Sequence, residues 1–112
     1  MLTVTKKLTM IRDALTGFLP PEIVHHYKRP GSDVSKYVVW QEDGSNSDGW
    51  LDNRLREQQI HGTIDLYTLE EYDPLVDEIQ KALDYVMAGW SLQAVEYEDN
   101  TNLIHYEWEW NI

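Results

Sequence analysis

The four histidines and the many carboxylates are the side chains of this sequence that could bind a metal ion or move protons. The adjacent pair His25–His26 would point to opposite faces of a strand, so the two rings cannot share one ion. His61 and His105 each fall on the polar side of a predicted strand. Beside Asp65 or Glu107 they could form a metal site only if those two strands are neighbours. We therefore expect ordinary surface histidines, with no metal and no cofactor.

Motifs of catalysis are absent from the 112 residues. The sequence has no Gly-rich phosphate loop, no GxSxG elbow and no HExxH pair. It also has no cysteine, which excludes a thiol nucleophile, a disulfide framework and a cysteine-based zinc site. Glu70, Glu71 and Asp73 stand before a predicted helix, where negative charge is favourable without any catalytic role. We expect no catalytic residues and do not expect an enzyme.

Charge is distributed unevenly along the chain. Residues 1–56 hold eight Lys/Arg and seven Asp/Glu, whereas residues 57–112 hold one Lys and thirteen Asp/Glu. A surface built from the second half would repel phosphate groups, so sequence-specific nucleic acid binding is not expected. Four glutamates can cluster across the last predicted hairpin, where they either have a use or are staggered to limit repulsion. These are Glu96, Glu98, Glu107 and Glu109.

A strand followed by a helix organises the middle of the chain. Apolar residues alternate from Ile60 to Leu66, which predicts a half-buried strand. Spacings of three and four residues from Leu75 to Val86 predict an amphipathic helix. Asp73 is a suitable cap for this helix and Pro74 suits its first position. Gly89 is predicted to take the left-handed conformation just past its end.

The remaining elements follow from the same patterns. Residues 4–17 predict a first helix, capped by Thr3 or Thr5. A short extended segment and an interior strand at 37–40 come next, and then Gly, Ser, Asn and Asp predict a long loop at 41–57. Two final strands form a hairpin, 90–98 and 103–112, with Trp108 and Trp110 on the buried side.

The order of elements predicts an α+β fold in one domain, residues 1–112. We expect a mostly antiparallel sheet of about four to five strands with two helices packed on one face. No apolar run approaches the roughly 20 residues that span a bilayer, so no membrane association is expected. The first 18 residues lack a long apolar core and a small-residue cleavage site, and are read as mature structure.

Nearly the whole chain, from about residue 8 onward, resembles the small tail-completion proteins of long-tailed bacteriophages and prophages, the tail terminator or head–tail joining class. The resemblance lies in the order and character of the elements, and the stretch 62–83 carries most of it. The segments are IRDAL, YVVW, GTIDLYT, DPLVDEIQKAL, WSLQAVEYED and NLIHYEWEW.

The resemblance implies a structural protein of the virion, made in the cytoplasm of the host bacterium during assembly. Such proteins form homo-oligomeric rings, typically hexamers, that end tube polymerisation and contact tail-tube and head-connector proteins. The acidic set Glu96, Glu98, Glu107 and Glu109 would line the DNA passage and repel the duplex. The predicted loop would contact a neighbouring subunit through Trp50, Leu51, Arg54 and Arg56, although Trp50 could instead pack back on its own domain.

Two other functions are compatible with the sequence. A small acidic inhibitor or immunity protein would use the carboxylates to bind a basic enzyme, with charge complementarity speeding association. A small enzyme would use histidine and carboxylates at the final hairpin. The oligomeric state would distinguish a ring-forming virion protein from an inhibitor that binds its enzyme 1:1. The identity of the neighbouring genes would distinguish the same two functions at less effort.

Overall fold

The computed structural model of the protein describes residues 2–47 and 58–112. These residues form two helices and five strands, with a turn of 3-10 helix at Pro21–Ile23. In chain order the elements are α1 (Val4–Phe18), β1 (Val24–His26), β2 (Tyr37–Ser47), β3 (Gln58–Thr68), α2 (Leu75–Tyr85), β4 (Gly89–Glu98) and β5 (Leu103–Asn111).

The five strands form one sheet in the order β1-β2-β3-β5-β4. β1 runs parallel to β2, and every other neighbouring pair is antiparallel. β3 and β5 are adjacent although α2 and β4 separate them in the sequence. The predicted α+β class with a mostly antiparallel sheet and two helices is therefore confirmed. No helix in the described part of the chain is long and apolar enough to cross a membrane.

One face of the sheet, the helix-covered face, packs against both helices. Alternation along the strands places one set of side chains there, because successive residues of a strand point to opposite sides. The predicted rows of β3 and β5 point to this face, and Trp108 and Trp110 are fully buried. The core contains Ile11, Leu15, Ile79 and Leu83 from the helices with Val38, Trp40, Ile64, Leu66, Trp108 and Trp110 from the sheet.

β2 is longer than the sequence predicts. The loop expected at 41–57 is wrong for residues 41–47, which continue β2 and pair with β3 as far as Ser47 opposite Gln58. A bulge between Glu42 and Gly44 adjusts the register. The polar composition does not prevent strand formation, because the ladder is made by backbone groups. Residues 48–57 fall outside the described part.

The ends of α2 follow part of the prediction. The Asp73 carboxylate accepts a hydrogen bond from Leu75 N at 2.9 Å and so satisfies a donor of the first turn. However, α2 begins at Leu75, so Pro74 holds the cap position predicted for Asp73 and is not the first helical residue. The left-handed residue after the helix is Met87, with φ 59°, and not Gly89. Gly89 instead begins β4, where an added Cβ would lie 2.9 Å from Asn111 side-chain atoms.

α1 is joined to the sheet by a buried lysine, Lys7. Thr3 accepts a hydrogen bond from Lys6 N and caps α1, as predicted. Lys7 is only 3% exposed, and its ammonium group donates to the carbonyl oxygens of Gln58 and Ile112. Its aliphatic stem lies beneath α1 while its charge reaches backbone acceptors at the end of the sheet.

Candidate functional site

The opposite side of the sheet, the open face, carries a continuous row of interacting side chains. It is formed by alternate residues of β2, β3, β5 and β4, and neither helix packs on it. The rings of Tyr37, Tyr67 and His105 stack across three adjacent strands, with centroid separations of 4.8 and 4.3 Å. Arg29, from the loop after β1, covers the Tyr67 ring at 4.8 Å. This row buries Tyr67 to 2% exposure without a helix above it.

Three possible metal ligands meet beside this stack. Asp65 of β3 lies directly opposite Glu107 of β5, and His105 is two residues before Glu107 on the same face. His105 Nε2 is 2.7 Å from Asp65 Oδ1, with side-chain exposures of 15% and 23%. One ligand atom from each of the three residues lies within 4.8 Å of the others. The arrangement can hold a proton between imidazole and carboxylate, or a cation between all three.

The ionisation of this group follows from its contacts. The hydrogen bond that the His105 imidazole donates to the Asp65 carboxylate raises the pKa of His105 above its ordinary value, opposed by burial and reinforced by the nearby Asp65, Glu107 and Glu98 charges. Burial raises the pKa of Tyr67 to about 12, although the Arg29 charge acts in the opposite direction. Tyr67 is therefore a neutral phenol at any physiological pH, and it supports the imidazole by stacking.

The four glutamates predicted to cluster do lie on one face, but none is directly opposite another. Glu107 pairs with Ala94 and Glu109 with Ser91, while on β4 Glu96 pairs with His105 and Glu98 with Leu103. The bulge between Leu92 and Ala94 sets this register. Staggering separates like charges that would destabilise a sheet if they were directly opposed.

The other candidate residues from the sequence do not lie beside Asp65, His105 and Glu107. His61 lies opposite Asn111, at the far end of β3 from His105, and its Nδ1 is 3.5 Å from Asp43 Oδ1. His25 and His26 lie in β1, at the edge of the sheet. The predicted interface residues Trp50, Leu51, Arg54 and Arg56 lie outside the described residues.

A second exposed surface lies on the helix-covered side of the last hairpin, beyond the reach of the helices. We call Leu92, Val95 and Tyr97 the hairpin patch; their exposures are 42%, 53% and 60%. Val95 and Tyr97 line a groove with Leu69 and Tyr106. β4 is also the last strand of the sheet, so its outer backbone edge has no strand partner among the described residues.

The sequence indicated a conditional metal site of His61 and His105 with Asp65 or Glu107; the structure brings together His105, Asp65 and Glu107 without His61, and the sequence analysis missed the aromatic support. Tyr37, Tyr67 and Arg29 are far apart in the sequence and meet only through the register of β2, β3 and β5. Tyr67 lies on the side of its strand that the alternation assigned to solvent. The sequence did offer one indication that Tyr67 is packed: it is an aromatic residue at the end of a row of polar residues, and aromatic residues are typical of packed strand positions.

Comparison of the sequence with models of known families and with curated proteins finds no match.

Proposed function

We propose that this protein is a structural component of a phage or prophage virion, a tail terminator or head–tail joining protein that forms a ring at the end of the tail tube. The order of elements supports it through the resemblance described above. The observation that carries it is the contrast in charge between the two edges of the sheet, β1 and β4.

A head-to-tail ring needs two different and complementary patches on one subunit. Six of the seven Lys/Arg in the described residues belong to 2–47. Lys28 lies two residues after β1 at one edge, whereas Lys7 is buried and the Arg29 guanidinium covers Tyr67. Arg12 of α1 lines a small cleft with His26 of β1. The β4–β5 hairpin at the other edge carries only acidic charge: Glu96, Glu98, Asp99, Glu107 and Glu109. Neighbouring subunits would therefore join the mixed β1 edge to the acidic β4 edge.

The hairpin patch supplies the apolar part of such an interface. Val95 and Tyr97 remain more than half exposed beside an unpaired strand edge, a combination that favours association with another chain. If edges join neighbouring subunits, one face of each sheet turns inward and the other outward. The open face would then line the passage with Glu96, Glu98, Glu107 and Glu109, and the duplex would slide past a surface that repels its phosphates.

We expect that Tyr97→Asp lowers the fraction of capped tail tubes at least about tenfold, because burying an unpaired carboxylate at an interface costs more than about 1.4 kcal/mol. The measurement is electron microscopy of tubes polymerised from the tail-tube protein encoded near this gene, with native mass spectrometry of the assembly. The matched control is Tyr85→Asp, since Tyr85 is 74% exposed and lies outside the hairpin patch. Equal capping by both variants would contradict the proposed interface.

The acidic open face also favours a second candidate, a small inhibitor or immunity protein of a basic enzyme. Four staggered glutamates on one face could meet a cationic active site and speed its association. A nuclease gene next to this one, together with a 1:1 complex by native mass, would support the inhibitor. Portal, capsid and tail-tube genes nearby support the ring, and glutamates found on the outer rim of a ring would exclude their role in the passage.

A further inference from the structure

We propose that Asp65, His105 and Glu107 form a binding site for a divalent transition-metal ion of the Zn²⁺ class on the open face. This departs from the expectation, drawn from the sequence, that the chain holds no metal. The site would bind its ion whether or not the protein forms a ring, because all three ligands belong to one subunit.

The spacing of the ligands suits a small ion. Zn²⁺ binds imidazole nitrogen and carboxylate oxygen at about 2.0–2.2 Å, so two ligands of a tetrahedral ion are about 3.4 Å apart. His105 Nε2 and Asp65 Oδ1 are 2.7 Å apart, and all three ligand atoms lie within 4.8 Å of one another. Small side-chain rotations therefore suffice: the imidazole and Asp65 separate by less than an ångström, and Glu107 closes on them.

The surroundings hold the imidazole in place. The Tyr67 ring lies almost parallel to His105, 10° between planes, and Tyr67 is itself fixed by Tyr37 and Arg29. A ligand ring held by neighbours binds with less loss of conformational entropy. β3 and β5 are both interior strands, so the backbone that carries the three ligands is paired on each side.

Glu107 is the ligand that protein contacts leave available. In the described ranges, 2–47 and 58–112, its carboxylate forms no hydrogen bond or ion pair, although the residue is half-buried opposite Asp65. Two carboxylates and one imidazole therefore face one another on adjacent strands. An ion that replaces the proton of His105 would balance the Asp65 and Glu107 charges, while water completes its coordination.

The donor set selects among ions. Imidazole nitrogen is a ligand for Zn²⁺ and its neighbours in the first transition row, whereas Mg²⁺ prefers oxygen donors alone and keeps its own water shell. His61 and Asp43 offer only two ligands at 3.5 Å, so they are a weaker competitor. We therefore expect Zn²⁺ to bind more tightly than Mg²⁺, with one ion per chain.

The test is isothermal titration of the full-length protein with ZnCl₂ and, separately, with MgCl₂. Wild type should bind one Zn²⁺ saturably, and Glu107→Gln should weaken binding at least about tenfold, because it replaces a charged carboxylate ligand by a neutral amide oxygen. Glu109→Gln is the matched control: it lies on the same strand and face, two residues further on, and removes the same charge. It should bind Zn²⁺ as wild type does.

Nuclear magnetic resonance of the histidine rings identifies the ligand without relying on a His105 variant, which could disturb the Tyr67 stack. On addition of Zn²⁺ the ring nitrogens of His105 should shift, and those of His61 and the pair His25–His26 should not. Absence of saturable binding, equal weakening by Glu107→Gln and Glu109→Gln, or shifts confined to another histidine would each overturn the site.

Discussion

Gly62→Ala is expected to destabilise the protein by about 3 kcal/mol, in the range of an overpacked core, or to prevent folding. A Cβ at this position would lie 2.5 Å from the Trp110 ring and 2.8 Å from Glu42 Cα, and closer still to the Gln41 carbonyl oxygen. Two of these neighbours are backbone atoms of β2 next to its bulge, so they cannot move without breaking the ladder between β2 and β3. Urea denaturation followed by tryptophan fluorescence measures the loss.

The matched control for this variant is Gly17→Ala near the end of α1. No atom lies within 4 Å of a Cβ added there, and alanine favours the helix by about 0.5–1 kcal/mol over glycine. We expect Gly17→Ala to keep or raise the free energy of unfolding. A Gly62→Ala protein within 1 kcal/mol of wild type would show that β2 and Trp110 can yield, and would contradict the close packing described here.

The fold could be predicted wherever a buried face imposed a period on the sequence. β3 from Ile60 to Leu66, α2 and the aromatic row of β5 were assigned correctly because each has one buried side. The prediction failed for residues 41–47 of β2. Their glycine, serine and asparagine are typical of a loop, but pairing with β3 extends the strand through backbone hydrogen bonds that composition does not record.

The candidate site needed information that the sequence does not contain, namely the order of the strands. β5 follows β4 in the chain, and a hairpin predicts that they pair, but nothing local places β3 on the other side of β5. That adjacency brings Asp65 to His105 and Glu107. The sequence analysis predicted that a metal site requires the strands of the two histidines to be neighbours. It therefore treated His61 and His105 as a pair of ligands. In the observed register His61 and His105 lie near opposite ends of β3, and His105 lies beside Asp65 and Glu107 instead.

Lys7 and Asp73 show a related limit. Neither was predicted to be buried, and both are 3% exposed. A charged side chain is buried when it finds several partners, and these lie far away in the sequence: Gln58 and Ile112 for Lys7, Lys36 for Asp73. A local sequence pattern predicts the usual environment of a residue type. It cannot predict partners that are distant in the sequence, because only the tertiary structure brings them together.

Asp73→Asn is expected to cost about 2–3 kcal/mol at pH 7, since the loss of a charged cap adds to the loss of buried hydrogen bonds. The carboxylate accepts from Leu75 N and from the Thr68 hydroxyl, at 2.9 and 2.7 Å, and Lys36 lies 3.0 Å away. Asparagine keeps the shape but offers one acceptor oxygen and no charge. The matched control is Asp77→Asn in the first turn of α2, which is exposed and should change stability by less than about 0.5 kcal/mol.

The cost of Asp73→Asn should depend on pH in a defined direction. Burial alone would raise the pKa of Asp73, but hydrogen bonds from Leu75, Thr68 and Lys36 outweigh it and hold that pKa below its ordinary value of 3.8. Folding is therefore stabilised above the unfolded-state pKa, and this contribution is lost as pH falls through the lowered folded-state pKa. Denaturation curves of both proteins between pH 7 and about pH 2 should converge towards the acid end, as Asp73 is protonated in the wild type. A difference in unfolding free energy that stays constant over this range would show that the Asp73 charge contributes nothing and that shape alone explains the loss.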